Sequence, residues 1–177
     1  RGLMNYPSTP DCVPHLLDQK NVDMLTSHGV YTKAELVSRY EVTLDNYCKT
    51  IVIEARTMAD MARTEILPAI QAFAGETARA AAGKKALSPG CACAYETALL
   101  EKLSGLTDQI AARTAELEQL VEELAEANDI RTESEGIRDR VLPQMDRLRR
   151  ACDEAETITA KRYWPFPTYG DLLFGVR

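Results

Sequence analysis

Apolar residues recur at helical spacing over most of this chain. One stripe runs through the first half, where successive apolar members lie three, four or seven positions apart: Leu36, Tyr40, Leu44, Tyr47, Ile51, Met58 and Met61. A half-buried β-strand would instead alternate apolar and polar residues with a period of two. The stripe therefore predicts one long helix with a single buried face.

Two further stripes follow the same spacing. One predicts a helix from about Tyr95 to Ala127, at Leu99, Leu103, Leu106, Ile110, Leu117, Leu120 and Leu124. The other occupies Ile137, Val141, Met145, Leu148, Cys152, Ala155 and Ile158. Asn128 and Asp129 lie between them and predict a tight reversal, so the two helices should run antiparallel. The predicted fold is all-α, a long antiparallel helical hairpin or three-helix bundle.

Two prolines lie inside these helical patterns. Pro68 follows Leu67 in "EILPAIQAF", and Pro143 follows Leu142 in "VLPQM". Proline removes a backbone N–H donor and crowds the preceding turn of a helix. We expect kinks near both prolines.

The segment "YTKAEL" carries a clear signal for a helix start. Thr32 and Glu35 form a capping box, in which each side chain accepts a hydrogen bond from the other residue's backbone N–H. Tyr31 and Leu36 occupy the two positions of a hydrophobic staple around that cap. "TESE" predicts a second capping box, at Thr132 and Glu135.

The first thirty residues differ from the rest of the chain. Pro7, Pro10 and Pro14 interrupt any long element, and "NVDMLTSHG" predicts a short helix with Asn21 as N-cap and Gly29 just after its end. We therefore divide the chain into a connector with a short helix, residues 1–30, and a helical bundle with a C-terminal tail, residues 31–177.

Composition and charge narrow the class of protein. The 177 residues include 45% hydrophobic, 27% charged and 6% aromatic residues, which favours a helical globular domain. The formal net charge of −6 gives no global attraction for nucleic acid or anionic membranes. No apolar run reaches the roughly 20 residues of a membrane span. The odd number of cysteines, five, fits a reducing cytosol.

Candidate catalytic or metal-binding side chains are few. His15 lies in the proline-rich segment, and His28 lies at a helix end, where its positive form suits the helix dipole. Cys91 and Cys93 have a metal-like spacing, but a structural zinc site takes four ligands and no further Cys or His lies nearby. We read the two cysteines as small loop residues.

Neither the carboxylates nor the glycine pattern of the sequence predicts a catalytic or phosphate-binding site. The sequence has no glycine-rich phosphate loop. Glu54 and Asp60 flank the first stripe, and we expect each to be buried in a structural ion pair. The sequence therefore predicts no catalytic, cofactor-binding or metal-binding residue in this chain.

The C-terminal tail concentrates large rings between prolines and glycine. Exposed together, such rings would form an apolar patch that soluble monomers avoid, so we expect the tail to be docked on its own bundle or on a partner. Prolines hold the segment extended, and Gly170 permits a turn. The structural residues predicted here are Trp164, Pro165, Phe166, Pro167, Tyr169, Gly170 and Phe174.

The tail also resembles a known family. "WPFPTYGDLLF" is closely similar to the carboxyl end of type III glutamine synthetases, and "RVLPQMDRLRRACDEAE" is similar to the segment before it. "KNVDMLTSHGVYTKAELVSRYE" and the residues up to "EILPAI" resemble the stretch that follows the catalytic region in that family. The resemblance covers nearly all of the chain, with a looser match in the central helix and in "LSPGCACA".

The resemblance implies a role within a larger enzyme. Members of the family make glutamine from glutamate, ammonia and ATP with Mg (or Mn), through motifs that lie upstream of this region. The start at Arg1 agrees with a piece of a longer protein. The resemblance implies a non-catalytic C-terminal structural and assembly domain, with the enzyme's own catalytic domain and neighbouring subunits of a large cytoplasmic homo-oligomer as partners.

A second hypothesis does not depend on the family. The chain would be an independent helical-hairpin interaction module that presents the Trp-Pro-Phe-Pro segment to a partner protein, as polyproline ligands do. A docked Trp164 favours the first hypothesis. A solvent-exposed Trp164 favours either this one or a tail whose binding site lies on the catalytic domain.

Overall fold

The described part of the chain is all-α. The computed structural model describes residues 2, 4–167 and 169–175, with Tyr169 described by its backbone alone. It is 81% helical, and no strand occurs among these residues, which confirms the predicted fold class. The α-helices are α1 Thr9–Cys12, α2 Gln19–Ser27, α3 Lys33–Met61, α4 Leu67–Leu87, α5 Ala94–Ala125, α6 Ile130–Gly136, α7 Leu142–Ile158 and α8 Tyr169–Phe174.

The helical path continues through Pro68 by way of a π-turn. Residues Ala62–Ile66 form this turn between α3 and α4, and the Leu67 N–H donates to the Ala62 carbonyl, five residues earlier. Widening the turn by one residue makes room for the proline ring, whose missing N–H would otherwise interrupt the regular ladder.

Pro143 is accommodated in the same way. Residues Ile137–Val141 form a π-turn between α6 and α7, and the Leu142 N–H donates to the Ile137 carbonyl. Both π-turns end one residue before a Leu-Pro pair, so the same local sequence produces the same local structure twice. The predicted kinks and the hairpin arrangement stay predictions, whereas the π-turns themselves were missed at the sequence level.

The chain divides into two compact units. The first comprises Arg1–Arg56 and Leu117–Gln144, and the second comprises Thr57–Glu116 and Met145–Arg177. Each unit thus combines segments that are distant in sequence. The domain boundary predicted after residue 30 stays a prediction.

The core of the first unit uses small residues where the sequence suggested large ones. Leu36 and Leu44 are fully buried as predicted, but Tyr47 is only half-buried. Cys48 and Ala55 are buried in its place, because small side chains permit close helix packing while larger neighbours cover the flanks. From the other segment, the buried apolar side chains are Leu117, Val121, Leu124, Ile137 and Val141.

The second unit follows the same rule. Ala59 and Ala62 are buried, whereas the predicted Met58 and Met61 are half-buried beside them. Most members of the two later stripes are buried here as expected, since those stripes have large apolar residues at their centres. The buried apolar side chains that α5 and α7 contribute to this unit are Leu103, Leu106, Ile110, Leu148, Ala151, Cys152 and Ala155.

The junction between α5 and α6 corrects one predicted cap. Asp129 is the N-cap, and its Oδ1 accepts hydrogen bonds from the N–H groups of Arg131 and Thr132, at 3.0 and 2.9 Å. Thr132 lies inside the helix and donates its hydroxyl to Asp129 Oδ2, while Glu135 pairs with Arg131 at 2.9 Å. The capping box predicted at Thr132 and Glu135 is therefore wrong, because the aspartate three residues earlier caps the helix first.

Contacts across this junction place the end of α5 beside α6 and the π-turn that follows it. The guanidinium of Arg140 donates to both carboxylate oxygens of Glu123, at 2.9 and 2.7 Å, and holds the pKa of that carboxyl below its usual range. Gly136 lies so close to α5 that an added Cβ would meet the Leu124 side chain at 2.5 Å. The end of α5 and residues 136–140 therefore pack against each other within the first unit.

The connector belongs to the first unit and is held there by a charged contact. Arg138 donates from Nη1 to Asp11 Oδ1 at 2.5 Å, across 127 positions of sequence. In α2 the N-cap is Asp18 rather than the predicted Asn21, which lies inside the helix and donates to the His15 carbonyl at 2.6 Å. Gly29 follows the helix with a φ of +67°, as a residue at this position requires.

Among the described helices, none combines the length and the apolar character needed to cross a bilayer.

Core burial makes a direct prediction for α3. Replacing the fully buried Leu44 with Ala leaves a cavity and should lower the free energy of unfolding by about 2–5 kcal/mol. Val42 lies two residues away and is 54% exposed, so Val42→Ala should change it by less than about 0.5 kcal/mol. Denaturant unfolding of both variants measures the difference, and equal effects would contradict the assigned buried face.

Candidate functional site

The start of α3 has the reciprocal hydrogen bonds of a capping box. The Thr32 N–H donates to Glu35 Oε2 at 2.7 Å, and the Glu35 N–H donates to Thr32 Oγ1 at 3.3 Å. The Thr32 hydroxyl also donates to Glu35 Oε2, at 2.9 Å. The bond from the Thr32 backbone N–H, and then the bond from its hydroxyl, hold the pKa of the exposed Glu35 carboxyl below its usual range.

Tyr31 and Leu36 flank this cap but differ in burial. Leu36 is fully buried, whereas Tyr31 is half-buried. The guanidinium of Arg39 lies 4.4 Å from the centre of the Tyr31 ring, within cation–π distance. This end of α3 therefore supports the fold, and it offers no group for chemistry.

The C-terminal tail begins with a turn after α7. Tyr163 donates its N–H to the Ala160 carbonyl at 2.8 Å, and Trp164 donates its N–H to the Lys161 carbonyl at 3.2 Å. Thr159, just before this turn, is buried and donates its hydroxyl to the Ala155 carbonyl at 2.7 Å. The root of the tail, residues 159–164, is therefore fixed by local hydrogen bonds.

The root is also attached to α4 within the second unit. The Glu76 carboxylate accepts a hydrogen bond from Arg162 Nη2 at one oxygen and from the Tyr163 hydroxyl at the other. The Tyr163 ring packs against Phe73, with ring centres 5.6 Å apart and planes at 43°. A charged pair, a neutral donor and an aromatic contact thus converge on one turn of α4. We call these four residues the tail anchor.

The next rings pack on each other. Trp164 and Phe166 are both half-buried, with ring centres 6.4 Å apart in an edge-to-face arrangement of 77°. Pro165 and Pro167 are exposed. The exposure of Trp164 is therefore intermediate between the full burial expected of a docked tail and the full exposure expected of a segment presented to a partner.

The end of the tail is exposed and apolar. Leu172 and Leu173 are 68% and 69% exposed, and Phe174 is 82% exposed. Lys161 pairs with Asp171 at 2.7 Å, which ties α8 back to the tail root. We call residues 172–174 the apolar end.

Two predicted tail residues need separate comment. Gly170 lies within α8 and not in a turn, since the helix begins at Tyr169 and a glycine is tolerated there despite its cost. The side chain of Tyr169 lies outside the described residues.

The titratable side chains of the described residues form no cluster suited to a metal ion. No group of three or more His, Cys, Asp and Glu side chains among them could hold a metal ion. His15 pairs with Asp18 at 2.9 Å. Glu54 and Asp60 are exposed, so their predicted burial is wrong; the core stripe passes through Ala55 and Ala59 and leaves its flanks in solvent.

Sequence reasoning missed the tail anchor on α4. Glu76 lies in the Ala-rich "AGETARA", where a carboxylate resembles any exposed helix residue, and it is 87 positions from Tyr163. Phe73 offered a weak signal, as a large ring in a segment that is otherwise poor in rings. The aromatic composition of the tail implied a docking surface, but no local pattern located it.

Comparison with known proteins identifies the family of this sequence. A family model described as the glutamine synthetase C-terminal domain matches residues 1–85. The glutamine synthetase of Butyrivibrio fibrisolvens is 35% identical over 180 residues, covering 100% of this chain and 25% of that protein. The chain belongs to the glutamine synthetase C-terminal domain family. This confirms the resemblance inferred from the tail and the helix motifs.

Two further curated glutamine synthetases have lower sequence identity to this chain. The type-3 glutamine synthetase of Dictyostelium discoideum is 27% identical over 182 residues, covering 98% of this chain and 24% of that protein. The glutamine synthetase of Bacteroides fragilis (strain YCH46) is 25% identical over 181 residues, with coverages of 98% and 24%. The chain therefore spans about a quarter of the length of the curated relatives it matches.

The capping box at Thr32 and Glu35 predicts that the stability of the folded chain depends on pH. A carboxyl whose pKa is lowered by folding stabilises the fold above its ordinary value of 4.5, and this contribution is lost as pH falls through the lower folded value. Glu35→Gln retains a capping-box residue but removes this titration. Denaturant midpoints measured above and below pH 4.5 should therefore fall less on acidification in Glu35→Gln than in the wild type. Equal decreases of the denaturant midpoint in both proteins would mean that the titration of Glu35 does not contribute to stability.

The tail anchor makes a prediction for the single tryptophan. Glu76→Ala removes the acceptor of both Arg162 and Tyr163, so collisional quenching of Trp164 fluorescence should increase. The effect on the free energy of unfolding should stay below about 1 kcal/mol, because the ion pair is solvent-exposed. Glu101→Ala, at an exposed carboxylate of α5, is the matched control and should leave quenching unchanged. Equal quenching in both variants would mean that Glu76 does not hold the tail root.

Proposed function

We propose that this chain is the structural and assembly domain at the C-terminal end of a type III glutamine synthetase. The observation that carries the proposal is the division of the tail into an anchored root and an apolar end. The hydrogen bonds to Glu76 fix the tail root on α4 within the second unit. The exposed Leu172, Leu173 and Phe174 then form a surface that another part of the enzyme can cover.

The activity proposed for the whole enzyme is the ATP-dependent ligation of glutamate and ammonia. The names of the curated relatives and the resemblance of the tail support this activity, with ATP and Mg (or Mn) as the expected cofactors. The resemblance to the family implies that the motifs for nucleotide and metal lie upstream of this region. The role of this chain is therefore proposed to be structural, in a cytoplasmic enzyme.

The proposed partners are the catalytic region of the same enzyme and neighbouring subunits of a homo-oligomer. About three-quarters of each curated relative lies outside the matched segment, since this chain covers 24–25% of their lengths. We propose that this remaining part of the enzyme provides the surface that covers the apolar end. Burial of such side chains drives association, since each removes apolar area from water.

A comparison of activities tests the proposed division of roles. The purified 177-residue chain should form no glutamine from glutamate, ammonia and ATP, whereas the longer polypeptide that carries it should do so. Glutamine formation measured on both proteins decides the question. Turnover by the 177 residues alone would overturn the non-catalytic assignment, and an inactive longer polypeptide would count against the proposed parent activity.

A second experiment tests the assembly role of the apolar end. In the longer polypeptide, Phe174→Ser should weaken subunit association or contact with the catalytic region by about tenfold or more, because a large ring leaves an interface. Leu87→Ser is the matched control, since Leu87 belongs to the same unit and is 92% exposed. Sedimentation velocity measures association. Unchanged assembly and activity in Phe174→Ser would favour the alternative of an independent module that presents the Trp-Pro-Phe-Pro segment.

A further inference from the structure

The loop between α4 and α5 folds two thiols onto each other. Cys91 donates its N–H to the Ser88 carbonyl at 2.9 Å, which closes a turn ahead of the Cys-Ala-Cys sequence. Cys93 then adopts a φ of +47°, a left-handed conformation that is uncommon for a residue with a side chain. With this backbone the two Sγ atoms lie 3.6 Å apart, although the residues are only two positions apart.

Cys93 is held in this position from two sides. It is 6% exposed, and its thiol lies 3.7 Å from the Ala81 carbonyl of α4, to which it donates. Its own carbonyl accepts the Thr97 N–H at 3.0 Å and so begins the hydrogen bonds of α5. Lys84 pairs with Glu96 across the same loop and joins the ends of the two helices. The strained backbone is therefore fixed by its surroundings, which is how such outliers persist at functional sites.

We propose that Cys91 and Cys93 form a dithiol modification site that reacts with small-molecule disulfides and closes to a Cys91–Cys93 disulfide. The site needs no group from outside the second unit, to which both cysteines belong. The inference is independent of the proposed role in glutamine synthesis.

The reaction proceeds in two exchange steps. The Cys91 thiolate attacks one sulfur of the small disulfide, forms a mixed disulfide and releases the other half as a thiol, which takes up the proton lost by Cys91. The Cys93 thiolate then attacks the Cys91 sulfur, forms the internal disulfide and releases the second half as a thiol, which takes up the proton of Cys93. The dithiol loses two electrons, and the small disulfide gains them.

The order of the two steps follows from exposure. Cys91 is half-buried and can meet a reagent from solution, whereas Cys93 is buried. Burial, followed by the neighbouring Cys91 thiol, raises the pKa of Cys93, so Cys93 reacts poorly with free reagents. Its attack on the mixed disulfide is intramolecular and benefits from a high effective concentration.

The other cysteines of the chain serve as internal controls. Burial raises the pKa of Cys48 to about 12 and that of Cys152 to about 11, so both thiols should stay inert. Cys12 is exposed and donates to the Thr9 carbonyl. A single exposed thiol with no second thiol beside it should stop at the mixed disulfide.

Titration of the 177-residue chain with oxidised glutathione tests the proposal. Tryptic residues 86–102 contain Cys91 and Cys93 and no other cysteine. This peptide should become lighter by two hydrogens without gaining glutathione, at a concentration of oxidised glutathione about tenfold or more below that needed to modify Cys12. Cys12 should appear as its glutathione adduct. A peptide that keeps glutathione without closing, or that stays reduced while Cys12 is modified, would overturn the proposal.

Single substitutions separate the roles of the two thiols. In Cys93→Ser the peptide should retain one glutathione on Cys91, since the second step has no attacking thiol. Cys12→Ser is the matched control and should leave the closure in residues 86–102 unchanged. Circular dichroism checks that each variant is folded, and the wild-type titration remains decisive if Cys93→Ser is not. Closure to the two-hydrogen product in folded Cys93→Ser would assign the reaction to another thiol and contradict the pairing.

Discussion

A proline inside a long helix removes one backbone donor and crowds the turn before it, and this chain meets that constraint twice. Before each Leu-Pro pair, at Pro68 and at Pro143, five residues form a π-turn, and α-helical structure resumes at the leucine. The continuation after Pro68 is α4, which carries Phe73 and Glu76. The continuation after Pro143 is α7, whose end leads into the tail. Phe73 and Glu76 therefore lie on one helix that begins at a Leu-Pro pair. Their partners in the tail anchor, Arg162 and Tyr163, lie in the turn that follows the other such helix.

The tail combines two kinds of contact with different consequences. Its root meets α4 through the carboxylate of Glu76 and the ring of Phe73, so its position depends on specific polar geometry. Its end exposes Leu172, Leu173 and Phe174, whose association with any surface would be non-directional and driven by burial. A fixed root limits which surfaces the apolar end can reach. The occupant that we propose for the surface of the apolar end is the rest of a glutamine synthetase.

Local structure could be predicted from the sequence where a single short segment determines it. Thr32 and Glu35 act within one turn, and the stripes through Leu106 and Leu148 repeat often enough to identify buried faces. Prediction failed where small residues compete with large ones, so that Ala59 is buried while Met58 only flanks it. It also failed where partners are distant in sequence, as for Glu76 and Tyr163. The all-α fold and the family followed from repeated or distinctive patterns, whereas the anchor required the folded chain.

The central claim is that the tail has an anchored root and an apolar end that the rest of the enzyme covers. Hydrogen–deuterium exchange of residues 159–175, compared between the 177-residue chain and the longer polypeptide that carries it, tests this claim most directly. The account predicts equal protection of residues 159–164 in both proteins, because the anchor lies within this chain. Residues 170–175 should exchange rapidly in the chain alone and become protected in the longer polypeptide. Equal exchange of residues 170–175 in both proteins would contradict the account.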